Sequence, residues 1–263
     1  MTASDREDAA HAGWVYAGDL LGEGIGLVFT DRYGGESPPP YDTLNLAYHT
    51  GDDPDIVRRN RISVARVIDI PESRIFYLEQ VHGLEVVQAG SRGAVARKAF
   101  AAADGIYTIE PGAVLAVLTA DCVPIALHIP AMRAVAMLHA GWKGTIGNIV
   151  AAAMHGMKEE LGSDIAGTRA VLGPAIHPCC YGVDEGRAHL FVERYGEESM
   201  VMTGEAGRNL DLVRANVLNL IEAGVKEENI SMVGGCTCCE HRYFSYRRDG
   251  DTGRQGAFIF MRE

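Results

Sequence analysis

Met137-Leu138-His139-Ala140-Gly141-Trp142-Lys143-Gly144-Thr145 joins two patterns of different period. Upstream, Ala134–Leu138 is an apolar run of strand length that ends at His139. Downstream, Ile146, Ile149, Val150, Ala153, Met154, Met157 and Leu161 recur at helical spacing, and Gly162 can end the helix. The stretch therefore predicts a strand, a glycine-rich turn and a helix over Thr145–Leu161. A side chain fixed between a strand and a helix start is well placed for chemistry.

The same alternation of elements extends outward. Ala113–Ile129 is apolar and β-rich, interrupted by Thr119-Ala120-Asp121-Cys122, and Pro124 predicts a bulge or bend there. Arg74–Val81 reads as a strand ending at His82-Gly83. Further strands are expected at Ile25–Thr30, Glu85–Gln88, Ile106–Ile109, Arg169–Ile176, Ile230–Val233 and Ala257–Met261. Asp53-Pro54 is a helix start, with Asp as N-cap and Pro in the first turn, and the helix runs to Ile68. Asn60 and Arg61 fall within or beside its apolar face, so they need polar partners or line a pocket. Two more helices are expected over Asp184–Tyr195 and Leu210–Ala223. Ser91–Ala103 reads as a flexible connection, and Cys236–Arg254 as a polar loop. Strands and helices do not alternate regularly, which predicts an α+β fold over a doubly wound sheet. The organisation expected is a loose tail over residues 1–15 and a single domain over residues 16–263.

The chain has 263 residues, 47% of them hydrophobic, and a formal net charge of −11. That charge argues against nucleic acid or an anionic membrane as partner, though not against a small anion in a local basic pocket. The polar N-terminus carries no secretory signal and no apolar run is long enough to span a bilayer, so the expected compartment is the cytoplasm. Six cysteines are present, at 122, 179, 180, 236, 238 and 239. A large cytoplasmic chain needs no disulfide staples, so metal binding, catalysis or burial are the readings for them.

His82, Cys122 and His139 all stand at strand exits. Imidazole and thiolate suit zinc, and three protein ligands leave a fourth position for water. The same residues also suit a metal-free site, with Cys122 as nucleophile, His139 as base, and Asp121 or Asn45 as orienting group. Residue types alone favour the plainest account, a buried cysteine beside two hydrogen-bonded histidines. The helix start near Gly144-Thr145, beside Lys143, can receive an anion. Cys236, Cys238 and Cys239 with His241 are spaced too tightly for a regular zinc knuckle.

Taken together and in order, six motifs resemble the YfiH-like family, also described as peptidoglycan editing factors or laccase-domain polyphenol oxidases. They are Gln80-Val81-His82-Gly83, Ala103-Asp104-Gly105, Thr119-Ala120-Asp121-Cys122, His139-Ala140-Gly141-Trp142-Lys143-Gly144, Gly173-Pro174-Ala175-Ile176 and Phe244-Ser245-Tyr246-Arg247-Arg248-Asp249. The resemblance implies packed mixed sheets flanked by helices, akin to cysteine-hydrolase-like toxin domains. It also implies zinc on His82, Cys122 and His139, with Asn45 and Arg61 lining the pocket. The implied chemistry is phosphorolysis of adenosine, inosine, guanosine or methylthioadenosine, and deamination of adenosine. Purine nucleosides and phosphate are then the partners, Arg61 the phosphate holder and Asp121 a proton carrier. Two alternatives stay open: a hydrolase editing an amide of a cell-wall precursor through Cys122, and a copper phenol oxidase. Two departures stand out. Gly182 replaces a usual glutamate, and Lys143 a usual arginine, which keeps the charge but not a bidentate grip. The cysteine-rich loop at Cys236–Cys239 leaves room for an adventitious copper site.

Overall fold

The computed structural model describes residues 13–90, 102–162, 165, 167–203 and 207–262. Two mixed β-sheets lie face to face between layers of helix, in the α+β arrangement expected. One sheet takes the order β1-β2-β13-β6-β3, from β1 (Val15–Tyr16), β2 (Ile25–Phe29), β3 (Ile75–Phe76), β6 (Val114–Thr119) and β13 (Gln255–Met261). The other runs β12-β9-β7-β8-β5-β4. It contains β4 (Val86–Gln88), β5 (Gly105–Thr108), β7 (Val123–Ile129), β8 (Ala134–Ala140), β9 (Arg169–Leu172) and β12 (Ile230–Met232). A separate hairpin pairs β10 (Met200–Thr203) with β11 (Gly207–Leu210). Seven α-helices occur among the described residues: α1 (Gly18–Leu21), α2 (Pro54–Val67), α3 (Trp142–Ile146), α4 (Ile149–Leu161), α5 (Glu185–Tyr195), α6 (Leu212–Glu222) and α7 (Tyr246–Asp249).

Period-2 alternation assigns each strand residue to a layer. Leu115, Val117, Ala257 and Ile259 of one sheet meet Ala126, Val135, Met137 and Val171 of the other in the central layer. Their neighbours turn outward. Val114, Ala116 and Phe258 pack with Val64, Ala65 and Ile68 at α2, while Ile125, Leu127, Ala136 and Leu138 pack against α4, α5 and α6. The strands are buried on both faces, which is why Val114–Thr119 and Ala134–Ala140 read as nearly unbroken apolar runs. His139 shares the parity of Val135 and Met137, so it stands at the end of the inter-sheet layer.

The α2 start is as the sequence predicts: the Asp53 side chain accepts from Asp55 N–H at 2.8 Å, with Pro54 in the first turn. Elsewhere the expectations need correction. Residues Trp14 and Val15 belong to the folded domain, Trp14 being buried and Val15 paired with Phe29, so the body begins ahead of residue 16. The expected tail over 1–12 and most of the connection Ser91–Ala103 lie outside the described residues. The strand expected over Arg74–Val81 is only two residues long, Ile75–Phe76; the following residues run as irregular chain toward His82.

The helix expected over Thr145–Leu161 is two helices. Trp142–Ile146 ends at Gly147, and Asn148, with φ +60°, caps Ile149–Leu161 by accepting from Ala151 N–H at 2.9 Å. Apolar periodicity passes through such a kink unbroken, so the sequence conceals it.

The interruption in Ala113–Ile129 falls within Thr119–Cys122, as the sequence indicates, and turns at Asp121 instead of bulging at Pro124. Between Thr119 and Val123 the chain leaves one sheet and enters the other, and Asp121 has φ +98°. Pro124 is the second residue of β7, near the strand start, where a missing N–H is tolerated; its carbonyl still accepts Gly173 N–H at 3.0 Å.

No helix among the described residues is long and apolar enough to cross a membrane.

Candidate metal centre

Three segments remote in sequence converge where β6 gives way to β7. His82 follows β3, Cys122 sits in the sheet-to-sheet crossing, and His139 is the penultimate residue of β8. One ligand atom from each lies within 4.8 Å of the others. Cys122 Sγ is 3.9 Å from His82 Nε2, and the two imidazoles meet edge to face at 4.9 Å between centroids. His139 is buried, Cys122 half-buried and His82 exposed, so the cluster has one dry side and one open to solvent. Gly141 makes room for it, because a Cβ there would lie 3.0 Å from both Cys122 Sγ and His82 Cδ2.

Asp104, which enters the sequence reading only within the motif Ala103-Asp104-Gly105, organises this centre. It is fully buried and bonds His139 Nδ1 at 2.7 Å. It also accepts from Val81, His82 and Gly83 N–H at 3.2, 3.0 and 2.6 Å, holding His82 at φ +58°. A non-glycine residue at positive φ needs such support. One carboxylate thus orients one histidine through its ring and the other through its backbone. Carboxylate–imidazole pairs of this kind are the usual outer shell of a metal-bound histidine. The only sequence signal for it was Asp104-Gly105 itself, which reads equally well as a turn.

Charge inside the centre is self-compensating. Burial pushes the Cys122 thiol up, but the His139 and His82 imidazoles outweigh it and bring it down to about 6. Burial pushes His139 down, yet the Cys122 sulfur and Asp104 carry it up to about 9. Burial pushes the Asp104 carboxyl up, and the bonds to His139 and Gly83 N–H more than offset it, leaving it below its ordinary value. A thiolate beside two imidazoles is a donor set that suits zinc or copper.

Of the remaining predicted residues, Arg61 is placed most informatively. It is buried, its Nε donates to Leu46 O at 2.8 Å, and its guanidinium stacks 3.7 Å from the Tyr77 centroid and 4.3 Å from that of Tyr48. Burial lowers its affinity for its proton. His49, on the short turn Tyr48–Thr50, is pushed down by desolvation and then by the charges of Arg254, Arg61, His82 and His139. Arg254 is affected by Cys122 and Asp121 in turn. His49 thus feels both Arg61 and the two histidines of the centre. Sequence reading missed His49, which lies in no patterned element.

Asn45 and Asp121 are placed as frame. Asn45 is fully buried, with its amide donating to Ala47 O, Thr50 Oγ1 and Asp52 Oδ2 and its carbonyl accepting from Ala47 and Arg254 N–H. These bonds make Asn45 a tie between loops. Asp121 is tied in the same way. Its Oδ1 accepts from Thr237 and Ser245 hydroxyls and its Oδ2 from Arg247 N–H, each at 2.7 Å. These bonds hold the strained residue before Cys122 and bind the C-terminal loop to it. Lys143 is exposed, 5.7 Å from the Trp142 ring centroid.

The cysteine cluster also differs from expectation. Cys236 and Cys239 gather with Cys179 and Cys180, not with His241.

A carboxylate-buttressed His–Cys–His centre with an open side, on a two-sheet α+β body, is an arrangement that can hold a metal ion. The chain belongs to the family described as multi-copper polyphenol oxidoreductase laccase, which matches residues 26–262. It is 39% identical to the purine nucleoside phosphorylase YlmD of Geobacillus stearothermophilus, covering 95% of each chain. It is 32% identical to the purine nucleoside phosphorylase YfiH of Shigella flexneri, over 92% of this chain and 96% of that one. The crystal structure of YfiH from Bacillus licheniformis superposes with a TM-score of 0.85 at 33% identity, covering 90% of this chain and 93% of that chain.

Proposed function

We propose that this chain is a zinc-dependent purine nucleoside enzyme, which splits adenosine, inosine, guanosine and methylthioadenosine with phosphate and deaminates adenosine. The observation that carries the reading is the convergence of His82, Cys122 and His139, in a chain whose relatives over nearly its full length are named purine nucleoside phosphorylases. Zinc on these three residues would supply Lewis-acid activation of water or of a departing group. Zinc is favoured over copper because multicopper oxidation needs further histidine-rich sites. The other ligand cluster among the described residues is all sulfur.

The protein's own groups divide the remaining work. Asp104 fixes the His139 tautomer by accepting from Nδ1, leaving Nε2 as the ligand atom. Arg61, clamped between Tyr48 and Tyr77, presents a fixed cation to phosphate, with Arg254 reinforcing the field. His49, pushed toward its neutral form first by burial and then by the charges of Arg254 and Arg61, is the candidate proton carrier of the pocket.

One observation favours a second reading. Cys122, His139 and Asp104 line up as thiolate, imidazole and carboxylate, the arrangement of a cysteine hydrolase such as a cell-wall amide editor. Metal analysis of the purified protein, run beside turnover of adenosine and inosine with and without phosphate, separates the two. Zinc bound through Cys122 and phosphate-dependent release of the base support the first. A metal-free protein with no nucleoside turnover and an alkylatable, essential Cys122 overturns it in favour of the second.

A further inference from the structure

On the far side of Asp121, two segments lie side by side: the turn that follows β9 and the loop that follows β12. Ala175 and Cys236 form a parallel bridge, and Thr237 N–H donates to Ala175 O at 2.9 Å. The pairing brings together Cys179, Cys180, Cys236 and Cys239, whose four sulfurs all lie within 4.8 Å of one another. Cys239 Sγ is 3.4 Å from Cys179 Sγ and 3.3 Å from Cys180 Sγ, and none of the four is in a disulfide. A tetrahedral ion with sulfur at ~2.3 Å spaces its ligands at ~3.8 Å, so modest relaxation accommodates one.

Two further features point to a cation. The backbone N–H groups of His177, Cys238 and Cys239 face Cys236 Sγ, and amides turned toward a sulfur prepare it to be a thiolate. Guanidinium groups flank the cluster: Arg247 donates to the Cys180 and Gly182 carbonyls, and Arg248, itself paired with Asp249 at 2.7 Å, to the Thr237 and Cys238 carbonyls. A divalent ion with four thiolates carries a net charge of about −2, part of which Arg247 would offset.

We propose that Cys179, Cys180, Cys236 and Cys239 hold a structural zinc ion, closed to substrate, that clamps the C-terminal loop to the β9 turn. The site is separate from the nucleoside centre and does not depend on that reading. Its position gives it a task. Thr237 lies within the clamped loop and binds Asp121, the residue before Cys122, while Ile176 N–H donates to Asp121 O. The four-sulfur site thereby steadies the strained crossing that presents Cys122.

The test counts metal in the wild-type chain, in Cys122→Ala and in Cys179→Ser/Cys239→Ser, each purified under reductant. Cobalt(II) exchanged for zinc serves as a spectroscopic probe. The expected result is one ion fewer in each variant than in the wild type, with Cys122→Ala retaining a cobalt spectrum dominated by sulfur-to-metal charge transfer. Chelation should also lower the melting temperature of Cys122→Ala. Both substituted cysteines of the double variant are exposed, so it is expected to fold. If it does not, the cobalt spectrum of Cys122→Ala decides alone. An unchanged metal content in the folded double variant, absence of four-sulfur charge-transfer bands, or a disulfide within the quartet overturns the proposal. Loss of the Cys122 ion with the quartet ion retained, or the reverse, shows which of the two readings fails.

Discussion

The molecule contains two sulfur-bearing clusters, and they are built on opposite principles. At His82, Cys122 and His139 a single sulfur sits with two imidazoles, one of them buttressed by a buried carboxylate, and one side faces solvent. At Cys179, Cys180, Cys236 and Cys239 there are four sulfurs and no nitrogen. The first set leaves a coordination position for chemistry; the second fills the shell. Asp121 stands between them, bound through Thr237 to one and adjacent in sequence to the other. The difference teaches that cysteine count says little here. What separates a reactive from a closed centre is the company each sulfur keeps.

Cys122→Ala should have the largest effect. It removes the only sulfur from the open centre, so phosphorolysis and deamination should fall by about 10³-fold or more, while the four-sulfur ion stays. Activity within tenfold of wild type would break the comparison, since the open centre would then do no chemistry. Asp104→Asn comes next. It keeps an oxygen for the N–H groups of Val81 and Gly83 but loses the Oδ1 acceptor shared by His82 N–H and His139 Nδ1. Zinc affinity of the open centre should drop about 10–100-fold, measured by competition with a chromophoric chelator. No counterpart effect should appear at the quartet, which has no carboxylate behind it.

Why did the open centre show in the sequence and the closed one not? His82, Cys122 and His139 each terminate or interrupt an apolar run, so strand periodicity pointed to their exits. What periodicity could not supply was the crossing between sheets. Val114–Thr119 and Val123–Ile129 look like one interrupted element, yet they belong to different sheets, and the crossing between them brings Cys122 near His139. The quartet draws on two irregular loops joined by a single bridge, Ala175 to Cys236, which leaves no periodic trace. Cys236-Thr237-Cys238-Cys239 invited grouping with its neighbour His241, whereas the pairing across the fold selects Cys179 and Cys180. The supporting bonds of Asp104 and Asn45 were hidden for a related reason. Each is a polar residue in irregular chain, and only the fold reveals how many donors and acceptors converge on it.

Arg61→Lys sharpens the functional half of the contrast at a smaller scale. Lysine keeps the charge but loses the planar stack between Tyr48 and Tyr77 and the Nε bond to Leu46 O. The KM for phosphate should rise about tenfold, equivalent to ~1.4 kcal/mol, with phosphate-independent deamination of adenosine changed much less. Equal losses in both reactions would show that Arg61 acts on the frame of the pocket and not on phosphate.

The smallest effect concerns the open centre stripped of its ion. Cys122 is depressed to about 6, so its contribution to stability is present above the unfolded thiol value and is lost as pH falls through 6. His139 is raised to about 9, so its contribution is present below the unfolded imidazole value and is lost as pH rises through 9. Between those values the folded protein carries thiolate and imidazolium where the unfolded chain carries thiol and neutral imidazole, so both bind the same number of protons and the two contributions offset each other. Melting temperature of the metal-free protein should therefore change little with pH across that window. Cys122→Ala removes the thiolate's side of the balance and leaves His139 uncompensated, so its melting temperature should acquire a pH slope that the wild type lacks. The quartet has no imidazole, so Cys179→Ser/Cys239→Ser should keep the flat wild-type profile. A slope in that variant instead would mean that the two clusters titrate as one unit through Asp121.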